Sequence, residues 1–198
     1  MKKILLLIRP ENTESENRGY IDAIEKFGGK AVFVHDDDLW NDVLVSLREV
    51  EGVLLSGGDS VGKLDYKLID YALTNDLKLL GICQGMQSMA MYGSEDVLIS
   101  IGNDGHYLKG KYCHRVELEK DSIVYNIAKK NVIGVNSYHY QTVLKSHCFK
   151  VTGRSVDGLI ECIENDNGLF QLGVQWHPER MIEYDDVSYK LIEMFITK

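Results

Sequence analysis

Proline is almost missing: Pro10 and Pro178 are the only two in 198 residues. With no Pro- or Ser-rich linker, no low-complexity tract and no internal repeat, nothing marks a boundary, and the reading is one domain over residues 1–198. The four cysteines, Cys83, Cys113, Cys148 and Cys162, form no CxxC pair, which speaks against a zinc ribbon or a disulfide scaffold. No apolar run approaches the roughly 18 residues of a membrane span. The opening "MKKILLLI" is cut short by Arg9 and Pro10, too soon for the apolar core of a signal peptide. A cytoplasmic protein with reduced thiols is the expectation. Positive charge is also scarce, with 22 Lys and Arg against 30 Asp and Glu, which argues against a nucleic-acid or anionic-membrane surface. Small molecules or protein partners remain.

Short apolar runs alternate with stretches of helical period in the first half. "KILLLI", "KAVFVH", "GVLLSGG" and "LKLLGI" read as strands. Between them, helices are expected over Arg18 to Phe27, Trp40 to Val50 and residues 61–76. That order predicts an α/β fold with a mostly parallel central sheet and helices on both faces. Beyond Met91 the strands Tyr112 to Leu118, Val132 to Asn136, Phe149 to Ser155, Gly158 to Glu164 and Leu169 to Gln175 predict a small antiparallel C-terminal region. The last two form a hairpin, and Tyr184 to Ile196 forms a closing helix. Residues 93–111 carry no assignment.

Chemistry concentrates in "LLGICQGMQ", where Cys83 stands between Gly81 and Gly85, two residues from each. A buried strand, a tight turn and a helix start in that pattern match the nucleophile elbow. A free cysteine is more often a small buried hydrophobe, but a helix N-terminus and a nearby imidazolium would favour the thiolate. "GVQWHPE" offers the partners: His177 as base, with Glu179 two residues on, across Pro178, to orient it. An isolated His-x-Glu would more often be a loop histidine beside an unrelated glutamate. Oxyanion donors are available from the N–H of Gln84 and from the glycine pair in "LLSGGDS", Gly57 and Gly58, although such a pair also suits an ordinary turn capped by Asp59 or Ser60.

Together "GICQGMQ", "LLSGGDS" and "GVQWHPE" resemble the class I glutamine amidotransferase-like family, a three-layer, flavodoxin-like α/β fold. "VNSYHYQ" and "DGLIECIE" are similar to its gamma-glutamyl hydrolase branch, typified by gamma-glutamyl-gamma-aminobutyrate hydrolase. The resemblance implies a cofactor-independent, metal-free hydrolase of a small-molecule gamma-glutamyl amide. Cys83, His177 and Glu179 would be its triad, and Gly58 and Gln84 its oxyanion donors. Gly57, Gln87, Asn136, Ser137, Tyr138 and His139 would hold the glutamyl head. Gln84 stands where many branch members have arginine, and "HYQ" where they have His-His-Gln. These departures leave the leaving amine open, a nucleotide-linked amine included, and the sequence is silent on oligomeric state. His106, Cys113 and His114 lack an elbow and are read as structural. Two rivals stand beside the hydrolase: a glutaminase subunit that passes ammonia to a separate synthetase, and a non-catalytic protein using Cys83 as a redox-sensing thiol.

Overall fold

The computed structural model describes residues 1–94, 98–102 and 106–198. Its first half runs β1 (Lys3–Ile8), α1 (Glu14–Lys26), β2 (Lys30–His35), α2 (Trp40–Leu47), β3 (Gly52–Leu55), α3 (Asp65–Thr74), β4 (Lys78–Ile82) and α4 (Gln84–Met91). The second half contributes β5 (Leu98–Ser100), β6 (Tyr107–Leu108), β7 (His114–Leu118), α5 (Ile123–Ala128), β8 (Val132–Val135), β9 (Ser137–Tyr138), β10 (Gln141–Val143), β11 (Lys150–Ser155), β12 (Ile160–Glu164) and β13 (Gln171–Val174). A 3₁₀ turn, Pro178–Arg180, leads into α6 (Asp186–Thr197).

One nine-stranded sheet carries the molecule, in the order β2-β1-β3-β4-β13-β12-β11-β7-β8. From β2 to β13 every pairing is parallel; from β13 to β8 every pairing is antiparallel. The antiparallel region therefore extends the central sheet, with β12 and β13 as the expected hairpin. Two small ladders, β10 with β5 and β6 with β9, lie outside it.

Alternation along β1 shows why helices cover both faces. Ile4 and Leu6 point into a core shared with Tyr20, Ala23 and Ile24 of α1, Val124 and Ile127 of α5 and Leu191 and Phe195 of α6. Leu5 and Leu7 point the other way, against Val43 and Leu47 of α2, Leu68 and Ala72 of α3 and Met86 and Met89 of α4. Burial on both faces is what makes the parallel strands read as continuous apolar runs. β3 and β4 differ from the expected spans only at their ends.

Three helices have an end three or more residues from where periodicity places it, while α6 starts two residues late, at Asp186. α1 begins at Glu14 because Thr13 caps it: the Thr13 hydroxyl accepts the Glu16 N–H while the Glu16 carboxylate accepts the Thr13 N–H at 2.9 Å. α2 ends at Leu47, three residues short of Val50. α3 begins at Asp65 instead of residue 61, since the preceding turn is folded around the Asp65 carboxylate, which accepts the Gly62 N–H at 2.7 Å. α5 is an addition, capped by Ser122. Within the unassigned stretch 93–111 lie β5 and β6; its residues 95–97 and 103–105 fall outside the described part. Among the described residues no helix is long and apolar enough to cross a membrane.

Candidate active site

The turn between β4 and α4 has the elbow geometry. Cys83 is held at φ +52°, a left-handed conformation that non-glycine residues seldom adopt, and α4 starts at the next residue. Its N–H donates to the Val174 carbonyl of β13 at 2.8 Å, and its own carbonyl accepts the Gln87 N–H at 3.1 Å. The flanking glycines are there for lack of room. A Cβ on Gly85 would lie 2.2 Å from the Leu55 carbonyl oxygen, and one on Gly81 would lie 2.7 Å from the Gly85 carbonyl carbon. Helix start and strands thus pack close enough to push Cys83 up at the carboxyl edge of the sheet.

His177 follows β13, the strand paired directly with β4, so sheet order alone brings it beside Cys83. It lines one cavity with Cys83, and its Nδ1 lies 2.7 Å from Glu179 Oε1. A carboxylate can only accept, so Nδ1 is the protonated nitrogen facing Glu179. His177 and Glu179 are both buried. Burial by itself would lower the imidazolium pKa, but the Glu179 carboxylate and the Cys83 sulfur outweigh it and raise His177 to about 9. Burial would likewise raise the Cys83 thiol; His177, then His139 and the Gln84 N–H, bring it below its ordinary value instead. The two shifts favour a thiolate–imidazolium pair.

The backbone of His177 is clamped. Asn136 donates through Nδ2 to the His177 carbonyl and accepts the His177 N–H through Oδ1, each at 2.8 Å. Across the site, the glycine turn after β3 is held on both sides of Gly58. The Gly57 N–H donates to the Tyr20 hydroxyl at 2.9 Å, Asn12 Nδ2 donates to the Gly57 carbonyl at 2.9 Å, and the Asp59 N–H donates to Glu11 at 2.9 Å. Beneath the turn Arg9 is buried, donating from Nε to the Ser56 carbonyl at 3.1 Å and forking onto Asp65 at 2.7 and 3.0 Å.

These parts surround a cavity of about 550 Å³. Of the residues expected from sequence, Cys83, His177, Gly57, Gly58, Gln87, Tyr138 and His139 line it. Gln84 and Glu179 sit behind the elbow and behind the histidine. Asn136 spends its amide on the His177 backbone, and buried Ser137 donates to the His106 carbonyl at 2.6 Å, so neither lies in the cavity lining. Gln87 donates from Nε2 to the Gln141 carbonyl at 3.0 Å, tying α4 to β10.

Sequence reasoning missed Glu11, Asn12 and Tyr20, which come from the β1–α1 region, and Tyr107, Tyr140 and Arg180. Arg180, next to the HPE motif, and Tyr140, inside the "HYQ" stretch, carried a usable signal. The Arg180 guanidinium lies 5.0 Å from the Tyr138 ring centroid and 3.4 Å from Glu16. Tyr107 and Tyr140 stack at 4.2 Å with an interplanar angle of 14°.

Comparison with known proteins places the chain in a family and a fold. The Peptidase C26 family model matches residues 62–179, a span that includes the elbow and the HPE motif. A Schizosaccharomyces pombe protein, PB2B2.05, described as a candidate glutamine amidotransferase, is 30% identical over 93% of this chain and 82% of its own length. The gamma-glutamyl-gamma-aminobutyrate hydrolase PuuD of Escherichia coli K12 is 31% identical over 68% of this chain, a match that spans 58% of that enzyme's length. Among solved structures, the glutaminase domain of Trypanosoma brucei CTPS, with bound acivicin, superposes with a TM-score of 0.77 at 16% identity, covering 100% of this chain and 95% of that one. PurLQS from Thermotoga maritima gives 0.72 at 20% identity over 98% and 97%. The chain belongs to the Peptidase C26 family and has the class I glutamine amidotransferase-like fold.

Proposed function

We propose that this chain is a cysteine-dependent hydrolase of gamma-glutamyl amides, with Cys83, His177 and Glu179 as its triad. The observation that carries the reading is the strained Cys83 sharing one cavity with the Glu179-oriented His177. The Cys83 thiolate attacks the gamma-carbonyl carbon, and the oxyanion accepts hydrogen bonds from the N–H groups of Gly58 and Gln84. Imidazolium His177 gives its proton to the departing nitrogen, the C–N bond breaks, and a gamma-glutamyl thioester remains on Cys83. Water then gives a proton to His177 as its oxygen attacks the thioester, releasing glutamate and regenerating the thiolate. Glu179 holds the imidazole in the required tautomer throughout.

Within this reading a nucleotide-linked amidate is one candidate leaving group. Gamma-glutamyl-CDP-amidate is the substrate to try; its cleavage yields glutamate and CDP-amidate, a step of bacterial capsule phosphoramidate biosynthesis. Tyr107 and Tyr140 support this choice, because their stacked rings offer a flat surface on the cavity wall where a pyrimidine can lie. Glu11 and Asp59 line the same cavity and oppose a diphosphate, so uncharged and aliphatic leaving groups belong in the same comparison.

Glutamate release by the chain alone from glutamine, gamma-glutamyl-aminobutyrate and gamma-glutamyl-CDP-amidate is the test. Fast release from one conjugate, a trapped glutamyl adduct on Cys83 and a loss of about 10³-fold or more in Cys83→Ala are expected. Retention of most of the activity in Cys83→Ala would overturn the assignment. The likeness to the S. pombe protein favours a second reading, a glutaminase subunit that supplies ammonia to a separate synthetase. Activity on glutamine that emerges only with a partner present would select it.

A further inference from the structure

Behind the Tyr138–His139 wall of the cavity, four side chains from distant parts of the chain converge. His106 lies just before β6, His114 opens β7, His139 follows β9 and Glu161 lies in β12. One potential ligand atom from each falls within a set spanning no more than 4.8 Å. Glu161 is fully buried, and its Oε1 is 3.6 Å from His106 Nδ1, from His114 Nε2 and from His139 Nε2 alike.

That spacing is too long for hydrogen bonds. Accordingly both oxygens of Glu161, and Nε2 of His114, are buried without a hydrogen-bond partner. A buried carboxylate left so is costly and calls for a compensating group. The outward-facing ring nitrogens say which atoms are bare. His106 Nε2 lies 2.9 Å from Asp157 Oδ2, and His139 Nδ1 lies 2.9 Å from the Gln141 carbonyl oxygen. Both partners are acceptors, so these outer nitrogens carry protons and the inner nitrogens are the ones turned toward Glu161. These inner nitrogens, His106 Nδ1 and His139 Nε2, face each other at 3.2 Å with the carboxylate beside them. One shared proton can bridge two of these atoms; it does not account for four directed at one point.

We infer that His106, His114, His139 and Glu161 form a tetrahedral site for a divalent transition metal, zinc by the character of the ligands. Four nitrogen and oxygen ligands about 2.0–2.2 Å from a tetrahedral zinc are about 3.3–3.6 Å from one another. Four of the six separations, 3.2 and 3.6 Å, have that size, and none exceeds 4.8 Å. Imidazole and carboxylate donors suit zinc. Asp157 on His106 and the Gln141 carbonyl on His139 are the outer acceptors that orient metal-bound imidazoles, and Asp157 is itself held by the Ser155 hydroxyl. With four protein ligands the site is closed, as structural zinc sites are. It would pin the segments bearing Tyr107, Tyr138 and Tyr140, three residues of the cavity wall, to β7 and β12.

The test is zinc binding by the full chain. Protein stripped with a chelator is titrated with zinc against a chromophoric competitor, with elemental analysis and thermal unfolding in parallel; cobalt(II) serves as a spectroscopic probe. One zinc per chain, a higher Tm with zinc and the intense visible bands of tetrahedral cobalt are expected. His114→Ala and Glu161→Gln should abolish uptake. Asp157→Asn, which leaves all four ligands in place, should weaken it by about 10–100-fold, a readout that survives if a ligand variant does not fold. Cys83→Ala should bind zinc unchanged. No uptake by the parent chain, equal affinity in Glu161→Gln and Asp157→Asn, or loss of zinc in Cys83→Ala would each overturn the assignment.

Discussion

Two groupings of histidine with glutamate lie on opposite sides of the cavity wall. At His177 one carboxylate oxygen meets one ring nitrogen at 2.7 Å, and the result is a hydrogen bond that fixes a tautomer. At Glu161 one oxygen stands 3.6 Å from three ring nitrogens and bonds to none. The residue types are the same; the spacing differs by less than the width of an atom. The shorter separation suits a shared proton, and the longer one suits an ion between the ligands. Pairing a histidine with an acid is therefore not a functional statement until the distance and the remaining partners are known.

The sharpest way to separate the two groupings is to make the same substitution in each. Glu179→Gln should lower kcat by about 10²–10⁴-fold, since the amide no longer favours the required tautomer, and should leave zinc uptake alone. Glu161→Gln should remove zinc uptake while leaving the pH dependence set by His177 where it was. Steady-state kinetics and metal titration on both variants check this, and identical behaviour would collapse the distinction.

The pH profile comes next in size. His177 titrates at about 9 and Cys83 below its ordinary value, so the thiolate–imidazolium pair exists between those two pKa values. Activity should rise with pH as Cys83 ionises and fall by about tenfold per pH unit above 9 as His177 loses the proton needed by the leaving group. Glu179 is the main group raising His177, so the upper limb should move to lower pH in Glu179→Gln. The linkage has a definite sign. A histidine raised in the folded state stabilises it fully below its unfolded pKa, and that stabilisation disappears as pH rises through about 9. An upper limb unmoved in Glu179→Gln would contradict the ion-pair account.

A smaller effect is expected where His177 is held by its backbone. Asn136→Ala leaves a buried N–H and a buried carbonyl without their partner, at about 1–3 kcal/mol for an unsatisfied group. Denaturant unfolding should show that loss. Activity should fall less than in Glu179→Gln, because the ring keeps its carboxylate.

Much of the parallel half was legible in the sequence. Strands buried on both faces write themselves as apolar runs, and the elbow follows from Gly81, Cys83 and Gly85 at a strand end, with neighbours too close for any side chain at the glycines. Thr13 and Glu16 also spelled out the true start of α1, a local capping signal that periodicity from Arg18 onward passes over. The start of α3 could not be read in that way. Its Asp65 carboxylate is shared between the nearby Gly62 N–H and Arg9, 56 residues away. The same limit applies to Asn136: its motif suggested a ligand to substrate, whereas its position 41 residues before His177 makes it a clamp on that residue's backbone.

By itself the sequence determined the alternation of strands and helices, the elbow and the pairing of His177 with Glu179 across Pro178, because each is written within a few neighbouring residues. Tertiary structure decided what depends on sheet order and on distances between remote segments. It set β13 beside β4 and so brought His177 to Cys83. It also gathered His106, His114, His139 and Glu161, from four separate stretches, around a single point. Local pattern specifies backbone period and turn chemistry; only the packed chain specifies which remote side chains come together.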